Sequence, residues 1–172
     1  MKRIPINLCE YAGHILEQLP KGILLSSAAN GRQDTMTIGW GTLGTDWSLP
    51  IFTVFVRESR FTKTLLDASG EFTLNIPLAN TDVRKILGYC GTKSGRDVDK
   101  FEMMHLTAVE GEKVQSPAIL ELPITLECKI IYRQDQNPAA IGQDLLHRYY
   151  PTGDFHTAYT GQIVAAYLLS DE

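Results

Sequence analysis

The chain has 172 residues, of which 44% are hydrophobic and 21% charged, with a formal net charge of -4 and a pI near 5.6. This length and composition are those of an ordinary soluble domain that can bury a sizeable core. The acidic balance argues against a nucleic-acid or anionic-membrane surface, because both partners favour a basic face.

Targeting segments and metal-ligand patterns are missing from the sequence. No positively charged start precedes a long apolar run, and the apolar runs are far shorter than the roughly 20 residues of a membrane helix. We therefore expect a cytoplasmic protein that binds neither membrane nor nucleic acid. The cysteines lack CxxC spacing and the four histidines are dispersed, so we expect no disulfide framework and no protein-bound metal.

The first third of the chain reads mainly as strands. Residues 1–17 show no clean period and predict only a short helix or strand. Residues 22–29 predict a strand, and Asn30-Gly31 after it is a strong hairpin signal. The next strand should therefore return antiparallel, and residues 51–56 form a β-branched and aromatic run typical of a buried strand.

Residues 36–44, interpreted as the returning strand, have one bulky face and one almost bare face. The bulky face carries Met36, Ile38, Trp40 and Thr42, and the bare face carries Thr37, Gly39, Gly41 and Leu43. A flat ligand fits against such a face, but a β-bulge or a barrel corner needs glycine just as much, and this stretch by itself favours the bulge or corner. Trp40 either flanks a ligand ring or packs in the core, and its place on the bulky face favours the core.

Three later segments predict helices. Residues 62–68 suit a short helix capped by Gly70. Residues 81–89 have an apolar side and end at Gly91. Residues 138–150 predict a helix started by proline.

The remaining segments predict strands. They cover residues 71–76, 122–132 and 156–169, the last with a bend at Gly161. No repeat or linker interrupts the chain, so we expect a single domain over residues 1–172. The elements together predict a mainly β fold with flanking helices, built as a closed or nearly closed antiparallel barrel.

A candidate anion site follows the strand at residues 51–56. The sequence there is Arg57-Glu58-Ser59-Arg60-Phe61-Thr62-Lys63, directly ahead of a helix whose first amides lack helical partners. Hydroxyls from Ser59 and Thr62 with a guanidinium from Arg57 or Arg60 would complete a phosphate cradle. Alternatively Ser59 caps the helix and the arginines are solvated. The preceding glycine-bare strand leads us to prefer the phosphate site.

A charged loop, Thr92-Lys93-Ser94-Gly95-Arg96-Asp97-Val98-Asp99-Lys100-Phe101, offers cations, a hydroxyl and a glycine hinge. It either lines or partly covers a cofactor, or it is an exposed loop whose alternating charges keep it soluble.

These motifs, in this order, resemble the flavin reductase-like family of FMN-binding split barrels, which includes flavoredoxin. The resemblance covers about residues 15–168. The matching stretches begin at Gly22 and continue with Met36-Thr37-Ile38-Gly39-Trp40-Gly41, Arg57-Glu58-Ser59-Arg60-Phe61-Thr62, Ser94-Gly95-Arg96-Asp97-Val98-Asp99-Lys100-Phe101, His156 and Gly161-Gln162-Ile163-Val164.

The resemblance implies an antiparallel split β-barrel homodimer that holds FMN non-covalently near the subunit interface. The strand would run beside the isoalloxazine ring, the segment ahead of the helix would take the phosphate, and the charged loop would approach the flavin. The residues expected to bind the cofactor are Met36, Thr37, Ile38, Gly39, Trp40, Arg57, Ser59, Arg60, Phe61, Thr62, Ser94, Gly95, Lys100 and His156.

The implied activity is hydride transfer from NADH or NADPH to FMN, and onward to free flavin, oxygen or a redox partner protein. No catalytic residue is assigned, although Lys100 or Lys93 could stabilise the reduced ring. The alternatives are a flavoredoxin-like electron-transfer protein and a flavin-binding module without turnover. The absence of GxGxxG argues against a Rossmann site but not against transient nicotinamide binding.

Two features depart from the family pattern. Asp34 stands where the family often has Asn, and residues 135–150 insert a helix, which affects substrate access. A lone histidine such as His156 is more often structural than ligand-binding, and Cys128 is expected to be a small buried hydrophobe.

Overall fold

The computed structural model describes residues 1–171; the predicted domain ends at residue 172, outside the described residues. The strands are β1 (Lys2–Pro5), β2 (Ile23–Ala29), β3 (Arg32–Ile38), β4 (Gly41–Asp46), β5 (Leu49–Arg57), β6 (Glu71–Ile76), β7 (Ala108–Val109), β8 (Ala118–Ile119), β9 (Ile124–Asp135) and β10 (His156–Ser170). The helices are α1 (Leu8–Gln18), α2 (Phe61–Ser69), α3 (Arg84–Thr92), α4 (Lys100–Met103) and α5 (Gln143–Tyr149), with 3-10 turns at Leu19–Lys21 and Pro138–Ala140.

One antiparallel sheet of eight strands has the order β3-β2-β6-β9-β10-β5-β4, and β1 pairs with the later part of β10. The strands at its two ends, β3 and β4, are consecutive in the chain and joined only by Gly39 and Trp40. The sheet must therefore curl back on itself, which confirms the predicted antiparallel barrel. Strands β7 and β8 form a separate two-stranded sheet, which was not predicted from the sequence.

The core fills the inside of this barrel. Phe52, Phe72, Leu126 and Tyr159 from four different strands are each 1% exposed or less, and Ile15 of α1 closes one side. Apolar side chains of this size supply most of the favourable free energy of folding.

The bend predicted at Gly161 is confirmed. The register between β10 and β9 shifts between Thr160 and Gly161. A Cβ at Gly161 would lie 2.7 Å from the Phe72 ring and 2.8 Å from Cys128 Cβ. Only glycine lets the strand pass this close to the core.

The prediction of one strand over residues 36–44 is wrong. Strand β3 ends at Ile38 and β4 starts at Gly41, so the alternative of a barrel corner is the correct one. Trp40 is 45% exposed at this corner, and the preferred core position for its side chain is therefore also wrong. A Cβ at Gly41 would lie 2.5 Å from the Phe52 ring, which explains the glycine.

Two helix predictions need new boundaries. α3 starts at Arg84 and runs through Gly91 to Thr92, because glycine weakens a helix without ending it. The predicted helix over residues 138–150 is divided at Ile141 and Gly142, which are extended, into a 3-10 turn and α5.

Other predictions agree with the structure. The hairpin at Asn30-Gly31, the Gly70 cap and the strand at residues 71–76 are confirmed. The start of the chain holds both a strand and the 11-residue helix α1, which is more structure than predicted. Cys128 is fully buried as expected, and burial raises the pKa of its thiol. Among residues 1–171, no helix combines the length and apolar character that a membrane span requires.

Candidate flavin site

Two adjoining cavities lie between the β3–β4 corner and the start of α2, and both contact Met36 and Arg60. The aromatic arm, about 190 Å³, is lined by Met36, Thr37, Ile38, Gly39, Trp40, Phe55, Arg57, Arg60 and His156. The polar arm, about 100 Å³, is lined by Met36, Ser59, Arg60, Phe61, Thr62, Thr92, Lys93, Ser94, Gly95 and Lys100. Every residue predicted to bind the cofactor therefore lines one of the two arms.

The aromatic arm is built around the exposed indole of Trp40. Its ring centroid lies 5.3 Å from that of His156 and 5.2 Å from that of Tyr149, the latter edge-on. Phe55 also lines this arm but was not predicted as a site residue. The available signal was strand alternation, since its neighbours Val54 and Val56 are fully buried and Phe55 must face the other way.

The aromatic arm and the polar arm together form one groove. Helix α3 holds the β3 wall of this groove in place. Thr37 Oγ1 donates a hydrogen bond to the Leu87 carbonyl at 2.6 Å. A Cβ at Gly91 would lie 3.3 Å from Thr37 Cβ, so a small residue allows the helix to lie this close. The Arg60 guanidinium donates to the Gly91 carbonyl at 2.8 Å, which fixes a cation where the two arms meet.

A buried cluster supports the polar arm. Lys100 Nζ lies 3.1 Å from Asp34 Oδ1 and donates to the Thr35 carbonyl at 2.6 Å. Thr62 Oγ1 donates to Asp34 Oδ2 at 2.7 Å. A Cβ at Gly95 would lie 2.5 Å from the Asp34 carboxyl group, so only glycine fits there.

Two residues predicted to bind the cofactor, Lys100 and Thr62, belong to this buried cluster. The Lys100 ammonium group, 3% exposed, and the Thr62 hydroxyl, on a residue that is 1% exposed, both have partners inside the protein. Asp34, the departure from the family pattern, is the counter-charge of Lys100 and accepts the hydrogen bond of the Thr62 hydroxyl. These side chains form the base of the polar arm.

Arg57 and Ser59 are engaged with the chain ahead of β10. The Arg57 guanidinium donates to the carbonyls of Tyr149 and Asp154 at 3.0 and 2.9 Å. The Ser59 hydroxyl and amide both donate to the Asp154 carboxylate, at 2.7 and 2.9 Å. Ser59 therefore does not cap α2; the N-cap residue is Arg60, whose side chain makes no capping bond.

The polar arm is nonetheless a good anion site. The first amides of α2, at Phe61 and Thr62, lie where a helix leaves N–H groups without helical partners. Lys93 and Ser94 from the charged loop line the same arm. Arg60 adds a guanidinium at its junction with the aromatic arm.

Two more arginines tie the charged loop to this arm. Arg32 and Arg96 lie against the Phe61 ring, at 4.4 and 5.6 Å from its centroid. Arg32 also donates to the Gly95 carbonyl at 3.0 Å, and Arg96 to the Ser59 carbonyl at 2.9 Å. The loop is thus held as a wall of the groove. This decides between the two predicted alternatives, a loop that lines the site and an exposed loop, in favour of the first.

His156 lines the aromatic arm together with Arg57 and Arg60. Burial, with the positive charges of Arg57 and Arg60, lowers its pKa from 6.5 to about 4. The imidazole is therefore uncharged at neutral pH.

A third cavity, about 490 Å³, opens beside the aromatic arm and shares Trp40 and Phe55 with it. Its other wall comes from the segment between β9 and β10, including Ile141 and Leu145. Leu145 is 53% exposed. The segment at residues 135–150 therefore lines a cavity next to the aromatic arm, and its effect on substrate access stays a prediction.

Residues 16–172 match the family model of the flavin reductase like domain. The chain belongs to the flavin reductase-like family. Flavoredoxin from Methanosarcina acetivorans is 26% identical, with a TM-score of 0.68 over 87% of this chain and 68% of that chain. An FMN-binding domain of a flavin reductases-like enzyme from Shewanella baltica is 17% identical, with a TM-score of 0.69 over 97% of this chain and 77% of that one.

An NADH:FAD oxidoreductase from Streptomyces globisporus shares the fold at 19% identity, with a TM-score of 0.60 over 86% of this chain and 75% of that chain. Membership supports flavin binding, and the groove fits such a group: the aromatic arm suits a planar ring and the polar arm suits a phosphate. The residues that would hold the ring lie around Gly39 and Trp40, and those that would hold the phosphate lie around Arg60 and the start of α2.

Proposed function

We propose that this flavin reductase-like protein is an NAD(P)H-dependent FMN oxidoreductase that passes electrons to free flavin or another acceptor. The observation that carries the proposal is the joined groove, in which an aromatic and an anion-binding arm meet at Met36 and Arg60. When bound, FMN supplies the redox chemistry by accepting a hydride from reduced nicotinamide and releasing electrons to the acceptor.

The protein's part is to bind and orient. The Arg60 guanidinium and the first amides of α2 bind the phosphate, because a helix N-terminus and a fixed guanidinium both favour anions. The bare Gly39 lets a ring approach the backbone closely. Trp40, 45% exposed and lining the aromatic arm, would pack against the ring.

Room for a second reactant supports turnover. The cavity of about 490 Å³ beside Trp40 and Phe55 opens directly from the aromatic arm. A reduced nicotinamide can approach the ring from this side without a dedicated dinucleotide motif.

A flavoredoxin-like electron-transfer protein is the second candidate, favoured by the 26% identity to flavoredoxin. In this function a reduced protein, rather than nicotinamide, loads the flavin with electrons. The two functions share the groove and differ in the donor.

The deciding experiment is an absorption spectrum of the purified protein with FMN, followed by anaerobic addition of NADH or NADPH. Protein-bound flavin bands that bleach on addition support the reductase. Bound flavin that bleaches only with reduced ferredoxin supports the electron carrier, and a protein that binds no flavin refutes both.

Arg60→Ala tests the anion site. Loss of a charged hydrogen bond should weaken FMN binding by about 1–3 kcal/mol, measured by fluorescence titration. Riboflavin, which lacks the phosphate, should bind both proteins equally. Arg84→Ala, which removes an exposed arginine paired with Asp82 outside the groove, is the control. Equal FMN affinity of Arg60→Ala and wild type would refute this site.

A further inference from the structure

Two side chains from the segment between β9 and β10 bind His156: Tyr150 contacts the ring, and Gln136 contacts both Tyr150 and the His156 backbone. The Tyr150 hydroxyl lies 2.7 Å from His156 Nδ1 and 2.9 Å from Gln136 Oε1. The backbone N–H of His156 donates to the same Gln136 oxygen at 3.1 Å. The three residues thus form a continuous hydrogen-bonded chain that ends in the aromatic arm.

The direction of every hydrogen bond in this chain follows from the backbone. An N–H can only donate, so the Gln136 atom that faces it must be the carbonyl oxygen. That oxygen is an acceptor, so the single hydroxyl proton of Tyr150 points to it. The Tyr150 oxygen can then face His156 only as an acceptor, and Nδ1 must carry the ring proton.

The other ring nitrogen is consequently unprotonated. A neutral imidazole carries one proton, so His156 Nε2 presents a lone pair. Among residues 1–171 no hydrogen bond engages Nε2, and it is not one of the buried unpaired atoms, so it is open to the cavity that the ring lines.

Burial and the charges of two nearby arginines keep the His156 ring neutral. Arg57 of β5 and Arg60 ahead of α2 disfavour the imidazolium, Asp154 favours it, and burial is the largest effect. Tyr149 and Tyr150 are the remaining titratable groups near the ring and its Trp40 neighbour. The pKa of about 4 leaves His156 an acceptor at neutral pH.

We propose that Gln136 and Tyr150 are positioning residues that fix His156 as the Nδ1–H tautomer, so that Nε2 selects ligands presenting an N–H donor to the aromatic arm. The ligand part of this inference rests on the proposed function. Two N–H donors enter the groove in that function, the imide of the flavin ring and the carboxamide of reduced nicotinamide. A ligand carbonyl at the same place would meet a lone pair and be disfavoured.

The tautomer can be measured without cofactor or turnover. Long-range ¹H–¹⁵N spectra of the cofactor-free, ¹⁵N-labelled protein should show His156 protonated at Nδ1, with the signal assigned by its loss in His156→Asn. Tyr150→Phe keeps the ring but removes the accepting oxygen, and should release the proton to Nε2. Gln136→Met should disturb the same signal. A wild-type His156 protonated at Nε2 would overturn the proposal.

Tyr149→Phe is the matched control. It removes the hydroxyl of the adjacent tyrosine, which makes no hydrogen bond within the described part of the chain. The His156 tautomer should remain unchanged in this variant. The same change in Tyr149→Phe and Tyr150→Phe would show that general disturbance of the segment, rather than the Tyr150 oxygen, controls the ring.

Two analogue pairs identify the donor. The first compares FMN with FMN methylated at N3, and the second compares NADH with the reduced acetylpyridine analogue, which lacks the carboxamide N–H. One analogue should bind about tenfold more weakly than its parent to the wild type, a difference that disappears in His156→Phe. Weaker binding of the N3-methylated FMN identifies the flavin imide as the donor. Weaker binding of the reduced acetylpyridine analogue identifies the carboxamide.

Equal discrimination by wild type and His156→Phe in both pairs would refute the selection of an N–H donor. Failure to bind FMN at all would refute the proposed function, whereas the tautomer measured on the cofactor-free protein is independent of that result.

Discussion

Asp34 and Lys100 form an ion pair almost fully withdrawn from water, with side chains 2% and 3% exposed. Neutralising one partner leaves the other charge buried without a counter-charge. Lys100→Met or Asp34→Asn should therefore lower the free energy of unfolding by about 3–5 kcal/mol. The double variant should be more stable than either single variant, because no unpaired charge remains.

Urea denaturation measures these free energies. The control is Arg84→Met, which breaks the exposed pair with Asp82 and should leave the unfolding curve unchanged. Single variants of Asp34 and Lys100 that unfold like this control would show that the buried pair contributes nothing to stability.

The lowered pKa of His156 predicts a pH dependence of stability. The unfolded chain takes up a proton at this residue below about pH 6.5, whereas the folded protein stays neutral there until about pH 4. The contribution of His156 to the free energy of unfolding is therefore fully present above pH 6.5. It is lost as the pH falls from 6.5 to 4, and changes no further below pH 4. Its size is about 3 kcal/mol at most.

Thermal or urea unfolding of wild type and His156→Gln across this range provides the test. Glutamine does not titrate, so only the wild type should lose stability from this group. Between pH 6.5 and 4 the free energy of unfolding of the wild type should therefore fall relative to that of the variant. Parallel curves for the two proteins would mean that His156 titrates normally in the folded state.

At the scale of elements, two glycines should respond oppositely to alanine. Gly161 of β10 has no room for a Cβ beside Phe72 and Cys128, so Gly161→Ala should lower stability by about 1–3 kcal/mol. Gly13 is exposed within α1, and a Cβ there would meet no other atom within 4 Å. Gly13→Ala should raise stability by about 0.5–1 kcal/mol.

Denaturant midpoints compare the two glycine variants in one experiment. A stabilising Gly161→Ala would show that the β10 bend can relax away from the core. A destabilising Gly13→Ala would show that helix α1 needs the glycine for a reason other than space.

The elements predicted correctly are those whose signals are local. Asn30-Gly31 sets a hairpin, and Gly70 ends α2 in the left-handed conformation, through backbone preferences of the residues themselves. The corner at Gly39 and Trp40 depends on where the barrel closes, which residues distant in sequence decide. Alternation along one strand therefore could not reveal it.

The features of the site also divide into those with local sequence signals and those set by residues distant in sequence. The residues lining the groove could be recognised from their motifs, but their partners could not. Asp34 with Lys100, and Ser59 with Asp154, join segments 66 and 95 residues apart. Gln136 and Tyr150 were missed for a different reason: they lie only 20 and 6 residues from His156, but no motif in the sequence signals the hydrogen bonds that link them to it.

At the scale of the whole molecule, we expect a homodimer whose assembly is needed to retain FMN. Dilution that dissociates the proposed dimer should release flavin, because the family resemblance implies that FMN is held near the subunit interface. Sedimentation velocity and free-flavin fluorescence over one dilution series measure both quantities. A monomer that stays fully loaded would refute this requirement.

Strand β10 joins the two parts of the large sheet, β3-β2-β6-β9 and β5-β4. This 15-residue strand lies between β9 and β5, yet it follows them in the chain. Until it pairs, both neighbours expose open edges to the cell. Its partners in β5 are far away in sequence, with His156 opposite Arg57, and such distant pairing folds slowly. His156 is on β10, and its ring lies 5.3 Å from that of Trp40 at the β3–β4 corner. The aromatic arm is therefore incomplete until β10 has paired, and flavin binding must follow that step.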